Sequence, residues 1–294
     1  LPMKGKVNYK VGDKVDADSI IASTNIPGNV QMINIAKMLN VEIENVNECM
    51  KIKIDDKVVK GDVIAETKGL FGLFKNQVKT PINGSLANIS DVTGQIIISE
   101  PPIPVEVDAY TSGEIIEVIE DEGVVISTNG TLIQGILGVG GENRGIVNVI
   151  TQDASDIIEK EHINEKNKGE ILIGGSYLTL EAFNKAREIG VSGIITGGFD
   201  YDNLTNILGY SLGVAITGSE NIGPSLMITE GFGEISIAER TFDLFLANKG
   251  KFASINGSTQ IRAGVIRPEI FIAKDNNDEI IKFNESDFAI SAGS

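Results

Sequence analysis

The chain has 294 residues, 41 acidic against 25 basic, for a formal net charge of −16. That balance excludes a nucleic-acid backbone as the main partner and a basic membrane-surface helix, since both need clustered Lys and Arg. One cysteine, Cys49, and one histidine, His162, exclude a disulfide framework, a thiolate zinc cluster and most nucleophile–base triads.

The length suggests two domains or three small ones. No apolar run approaches the roughly 20 residues of a spanning helix, so membrane insertion is not expected. No signal-peptide pattern opens the chain, and a reducing, cytoplasmic setting is the default expectation. The first residue is Leu1, as in a trimmed or partial chain.

Two stretches match at an offset of 43 residues. Lys10-Val11-Gly12-Asp13-Lys14-Val15 leads to Ile20-Ile21-Ala22, and Lys53-Ile54-Asp55-Asp56-Lys57-Val58 leads to Val63-Ile64-Ala65. Each copy reads as strand, Asp/Gly turn and second strand, so the segment is an internal repeat. Each is followed by a Pro/Gly turn, Ile26-Pro27-Gly28-Asn29-Val30 in one and Thr80-Pro81-Ile82-Asn83-Gly84 in the other.

These motifs resemble the biotinyl/lipoyl-like barrel-sandwich hybrid, in the version found in RnfC-type electron-transport subunits and in uncharacterised bacterial proteins. The resemblance covers residues 1–105 and implies two similar β halves around one small core. It also implies an adaptor role. Electron transfer does not follow, because cysteine spacing for iron–sulfur clusters and a flavin or nicotinamide fingerprint are both missing. A carrier domain of this fold would hold its modified lysine just after the second Val-Ile-Ala-Glu, where Lys68 is the matching residue. The biotin Met-Lys-Met and lipoyl Asp-Lys-Ala tips are absent.

Between the halves, Met32, Ile35, Ala36 and Leu39 recur at helical spacing, predicting an amphipathic helix inside residues 31–50. It would serve as a lid on the barrel or as a docking helix. After Lys68, the run Leu70-Phe71-Gly72-Leu73-Phe74 interrupts the hairpin. Leu70, Phe71, Leu73 and Phe74 would form an apolar tip, either buried on a neighbouring domain or docking a protein partner.

Pro101, Pro102 and Pro104 close this domain. Residues 106–150 read as a β-rich connector: two strands around Asp121-Glu122-Gly123, then further strands broken by a Gly-rich run at 138–145. That run precedes a strand and not a helix, so it reads as a wide hairpin turn and not as a dinucleotide loop. Residues 151–168 read as an acidic linker containing a solvated His162.

From residue 169 the period changes to that of an α/β domain, 169–294, with a mainly parallel sheet expected. A helix begins after Thr179 and stops at Gly190, another starts near Asp200, and a third ends before Gly250. Strands are expected at 170–173, 191–196, 213–217, 225–229 and 252–255. The loops leaving them are similar and would gather at one carboxyl edge, where open α/β sheets bind ligands.

The candidate ligand-binding residues there are Gly174, Gly175, Ser176, Gly197, Gly198, Asp200, Gly218, Ser219, Glu220, Glu230 and Gly231. Asp200, Glu220 and Glu230 could hold a divalent cation or a cationic ligand, or perform acid–base work. Alternatively the glycines and carboxylates are turn and cap residues only. No other cofactor is expected, and no nucleophile–base pair can be assembled. Arg240, Arg262 and Arg267 read as salt-bridge residues.

The sequence therefore predicts a multidomain β plus α/β protein. Its expected function is that of a non-redox accessory or adaptor protein, binding a protein partner and a small ligand. An enzyme or metal-dependent ligand-processing protein at the Gly-rich edge is the rival, and a carrier modified on Lys68 is the third reading.

Overall fold

The 43-residue repeat is written into the backbone hydrogen bonds. The computed structural model describes residues 1–68, 75–210, 220–259 and 266–274. The chain is β-rich and divides into two compact units, between which it passes repeatedly. Leu1–Lys10, Ile20–Asp108 and Val118–Val125 form the first; Val11–Ser19, Ala109–Glu117 and the described residues from Ile126 onward form the second.

In the first unit, Ile20–Ile26 pairs antiparallel with Lys6–Val7 on one side and Ile103–Asp108 on the other. A four-stranded antiparallel sheet runs in the order Val30–Asn34, Gln95–Ser99, Gly84–Ile89, Lys57–Val58. Val63–Glu66 pairs with Gln77–Lys79. Its core joins Ile33, Ile35, Leu39, Val46, Cys49, Val58, Ile64, Leu86, Ile96 and Ile98. Cys49 is thus a small buried hydrophobe.

The repeat extends well beyond the residues that match by eye. Asn8 N–H donates to Ile21 O as Lys51 N–H does to Ile64 O. Ala22 pairs with Val107 and Ile20 with Asp108, skipping Ile21 in a bulge; Ala65 pairs with Val78 and Val63 with Lys79, skipping Ile64 in the same bulge. Lys14 and Val15 pair with Glu114 and Gly113, and Lys57 and Val58 pair with Ser85 and Gly84. The structural counterpart of Thr80-Pro81-Ile82-Asn83-Gly84 is therefore Ala109-Tyr110-Thr111-Ser112-Gly113. The Ile26-Pro27-Gly28 turn, matched to it in sequence, is not the equivalent. The second copy is inserted between two paired strands of the first, Ile20–Ile26 and Ile103–Asp108, so the halves of the outer copy lie far apart in sequence.

Residues 31–50 do not form one helix. Val30–Asn34 is a strand with Met32 exposed, followed by helices Ile35–Leu39 and Val46–Cys49 around a single 3₁₀ turn. The Asn34 side chain accepts the Lys37 N–H and sets the helix start at Ile35, three residues after Met32. Ile35, Ala36 and Leu39 face the core as the spacing predicts.

The second unit is built on one eight-stranded sheet. Its order is Gly130–Gln134, Glu269–Ala273, Phe252–Asn256, Glu142–Val149, Ile171–Ile173, Gly193–Phe199, Ser225–Phe232, Leu137–Val139. Among the described strands, only the four from Glu142–Val149 to Ser225–Phe232 pair in parallel with one another; the flanking pairings are antiparallel. The sheet is mixed and not mainly parallel, because strands expected in a separate connector join both of its ends. The Gly-rich run at 138–145 is likewise not a hairpin turn. Its flanking strands never pair: Leu137–Val139 lies at the sheet edge, and Glu142–Val149 lies four places away. Periodicity identifies a strand but not its partner.

Strand parity divides the sheet into two faces. Val147, Val149, Ile171, Ile173, Ile195 and Met227 pack with Phe242 and Phe245 of the helix Glu239–Ala247. Leu172, Ile194, Leu226 and Ile228 pack with Ala182, Phe183 and Ala186 of the helix Leu180–Ile189 and with Leu204 of Tyr201–Leu208. Thr179 caps the first of these helices, and Gly190, at φ +83°, stops it. The acidic segment 151–168 is part of this core: Ile157–Ile158 pairs with Tyr177–Leu178, and Ile158 and Ile163 are fully buried. His162 is exposed, and its Nδ1 accepts the Glu159 N–H at 3.0 Å within a 3₁₀ turn. Among the described residues, no helix is long and apolar enough to cross a membrane. The expected strand at 213–217 lies outside the described residues.

Candidate functional site

The parallel strands Ile171–Ile173, Gly193–Phe199 and Ser225–Phe232 are adjacent, so their following residues Gly174–Gly175–Ser176, Asp200 and Gly233 share one edge with Gly197 and Gly198. The chain itself closes that edge. Ser176 N–H donates to Asp156 O at 2.7 Å, Gly175 N–H to Thr151 Oγ1 at 3.2 Å, and Gly197 N–H to Gly175 O at 3.0 Å. Ile235 N–H donates to Ser176 O, and Gly233 N–H to Phe199 O. The glycines are there for backbone contact. A Cβ on Gly197 would stand 1.9 Å from Ile235 O, and one on Gly198 1.8 Å from Gly233 O. Amides that already meet protein oxygens cannot cradle an anion.

The three carboxylates are engaged separately. Asp200 is the N-cap of Tyr201–Leu208 and accepts the Asn203 N–H at 2.8 Å. Glu230 accepts the Ala238 N–H at 3.1 Å, next to the start of Glu239–Ala247. Glu220 accepts the Tyr210 hydroxyl, whose pKa is pushed up to about 12 by burial and by that carboxylate. Among the described residues, no group of three His, Cys, Asp or Glu side chains is placed to hold a metal ion. Gly231 is half-buried on the strand Ser225–Phe232; Gly218 and Ser219 lie outside the described residues. Arg240 and Arg267 are exposed, and Arg262 lies outside.

An open cleft lies in the second unit, where no motif announced it. The cleft, of about 510 Å³, is lined by Lys14, Asp16, Ser112, Glu114, Thr128 and Lys274, among others. Its volume lies in the range of small-molecule sites. Lys14 and Glu114 are cross-strand partners, and Thr128 Oγ1 donates to Ser112 O at 2.7 Å, fixing one wall. These residues come from four distant segments, so only the folded chain assembles them. Nearby in sequence, Tyr110 holds a left-handed backbone, φ +62°, and the Ser254 hydroxyl donates to its carbonyl. Burial, then Glu269 and Glu142, raise its phenol above the ordinary range.

In the first unit the base of the interrupted hairpin is an ion-pair clamp. Glu66 accepts from Lys75 at 3.1 Å, Gln77 at 3.1 Å and Lys51 at 3.2 Å. Those hydrogen bonds, Lys75 first, lower its pKa from 4.5 to about 2. Thr67 and Asn76 exchange two further bonds across the same base. Lys68 is exposed and paired with Glu48 at 2.7 Å; that hydrogen bond, and then its charge, raise the lysine's pKa. Leu70, Phe71, Leu73 and Phe74 lie outside the described residues.

No protein-family model, no curated protein and no solved structure matches the chain. Functional assignment therefore rests on the local geometry of each unit.

Proposed function

We propose that this chain is a non-redox accessory or adaptor protein that binds a protein partner through its duplicated β unit and the tip bearing Leu70, Phe71, Leu73 and Phe74. The repeated bulge and turn hydrogen bonds support the resemblance to a barrel-sandwich hybrid. One observation carries the docking role: Glu66 gathers Lys51, Lys75 and Gln77 across the two strands that flank residues 69–74 in sequence. A fixed base lowers the entropy lost when a short apolar tip is buried by a partner. Purified chain used as bait should retain a partner that a Leu73→Asp plus Phe74→Asp variant loses. An unchanged set of partners would count against the docking role.

A small polar ligand is a second element of this reading, favoured by the cleft lined with Lys14, Asp16, Glu114 and Lys274. The enzyme alternative at the Gly-rich edge is weakened by carboxylates that already cap backbone amides. The carrier alternative is weakened by the sequence around Lys68, which has neither a Met-Lys-Met nor an Asp-Lys-Ala tip. Intact mass from the native host, with no lipoyl or biotinyl increment, would remove it.

A further inference from the structure

The four-stranded sheet of the first unit ends in the strand Val30–Asn34, which pairs only with Gln95–Ser99 among the described strands. A free strand edge is a template for another chain, and proteins usually block it with charge, proline or shortness. The other outer strands of this unit follow that rule. Lys57–Val58 and Lys6–Val7 have two residues each, one of them lysine. Ile103–Asp108 carries Pro104, Glu106 and Asp108.

Val30-Gln31-Met32-Ile33-Asn34 carries no charge and no proline; the Met32 carbonyl accepts the exposed Gln31 side-chain amide at 3.2 Å, a bond that a pairing strand would displace. Alternation places Ile33 in the core, at 6% exposure, and leaves Val30 and Met32 together on the other face at 63% and 64%. The strand is also uncharged in a chain of net charge −16. General electrostatic repulsion opposes contact between two copies, and this edge is a place where they can meet without opposing like charges.

We infer that Val30–Asn34 pairs antiparallel with the same strand of a second copy, about a two-fold axis through Met32, joining two four-stranded sheets into one. The pairing is self-complementary: Met32 lies opposite Met32, Gln31 opposite Ile33, and Val30 opposite Asn34, so the axis closes the assembly as a dimer. Val30 and Met32 of both copies form one apolar strip across the seam. The contact is small, so association is weak and concentration-dependent. This inference does not rest on the role of residues 69–74.

Sedimentation equilibrium of the full chain, over roughly 5 to 200 µM as suits a weak interface, should show a reversible dimer. Met32→Lys and Val30→Lys should each shift it to monomer with unchanged circular dichroism, since both side chains are exposed. Val92→Lys, at an 83% exposed turn residue, should leave the dimer intact. Met32→Cys should form a disulfide-linked dimer on mild oxidation, because directly opposed antiparallel residues lie about 4.5–5.5 Å apart at Cα, within disulfide reach. Val92→Cys should not. A wild-type monomer throughout, or a dimer that persists in both lysine variants, would overturn the inference. So would a monomer whose Met32→Lys variant loses a protein partner, which would assign the edge to that partner.

Discussion

Gly12 and Asp55 occupy the same left-handed turn in two copies of one β unit. Their φ angles are +90° and +72°, and each donates its N–H at 2.8 Å to a fully buried residue's carbonyl, Ile115 for Gly12 and Leu86 for Asp55. Those two residues answer in kind: Ile115 N–H donates to Asp13 O, and Leu86 N–H to Asp56 O. Different side chains thus serve one backbone shape.

A first prediction follows from that equivalence. Nothing lies within 4 Å of a Cβ built on Gly12, so substitutions there test backbone conformation alone. Gly12→Asp, which copies Asp55, should cost less than about 1 kcal/mol, because Asp tolerates the left-handed region. Gly12→Val should cost about 2 kcal/mol. Urea denaturation of the two variants would measure the difference, and equal costs would contradict the shared turn.

Part of this was legible before the fold. The first halves of the repeat share Lys, Asp, Lys, Val and Ala in register, so the offset of 43 is visible in the letters. The second halves are not, since Thr80-Pro81-Ile82-Asn83-Gly84 and Ala109-Tyr110-Thr111-Ser112-Gly113 keep little but the glycine. Their kinship lies in hydrogen-bond partners, which composition does not encode. Helix starts at Thr179 and Asp200 were readable because capping is local chemistry. The closure of the Gly-rich edge was not, because a glycine that contacts a ligand and one that contacts backbone look alike in sequence. The mixed sheet escaped for the same reason as the hairpin at 138–145: strand partners are set by tertiary packing.

The second prediction concerns that edge. Gly198→Ala should destabilise the second unit by about 3 kcal/mol, since its Cβ meets Gly233 O at 1.8 Å and backbone cannot step aside cheaply. Gly231→Ala, with its nearest neighbour the Ile235 side chain at 3.4 Å, should stay within about 0.5 kcal/mol. Thermal unfolding of both variants is the check.

The third prediction separates a cap from a catalytic or metal-binding carboxylate. Asp200→Ala should lose about 1 kcal/mol of stability, while Asp200→Asn retains most of it, because Asn also accepts the Asn203 N–H. Millimolar Mg²⁺ or Ca²⁺ should not raise the melting temperature. A clear rise that Asp200→Asn abolishes would restore the metal reading.

The fourth is a pH effect at Glu66. Its folded-state pKa lies below the ordinary 4.5, at about 2. The stabilisation from its ionised form is therefore fully present above pH 4.5 and is lost as pH falls through about 2. The difference in melting temperature between wild type and Glu66→Gln should be constant from pH 7 to 5 and shrink between 4.5 and 2. A difference that stays flat to pH 2 would show that the clamp does not hold in solution.

The adaptor role is tested most directly by the affinity of a purified partner for the wild-type chain and for the Leu73→Asp plus Phe74→Asp variant, with folding of both confirmed by thermal melts. Removing two apolar anchors should weaken binding by at least about tenfold. Asp200→Asn, at a cap in the second unit, should bind as the wild type does. Equal affinities for wild type and the double variant would contradict the account.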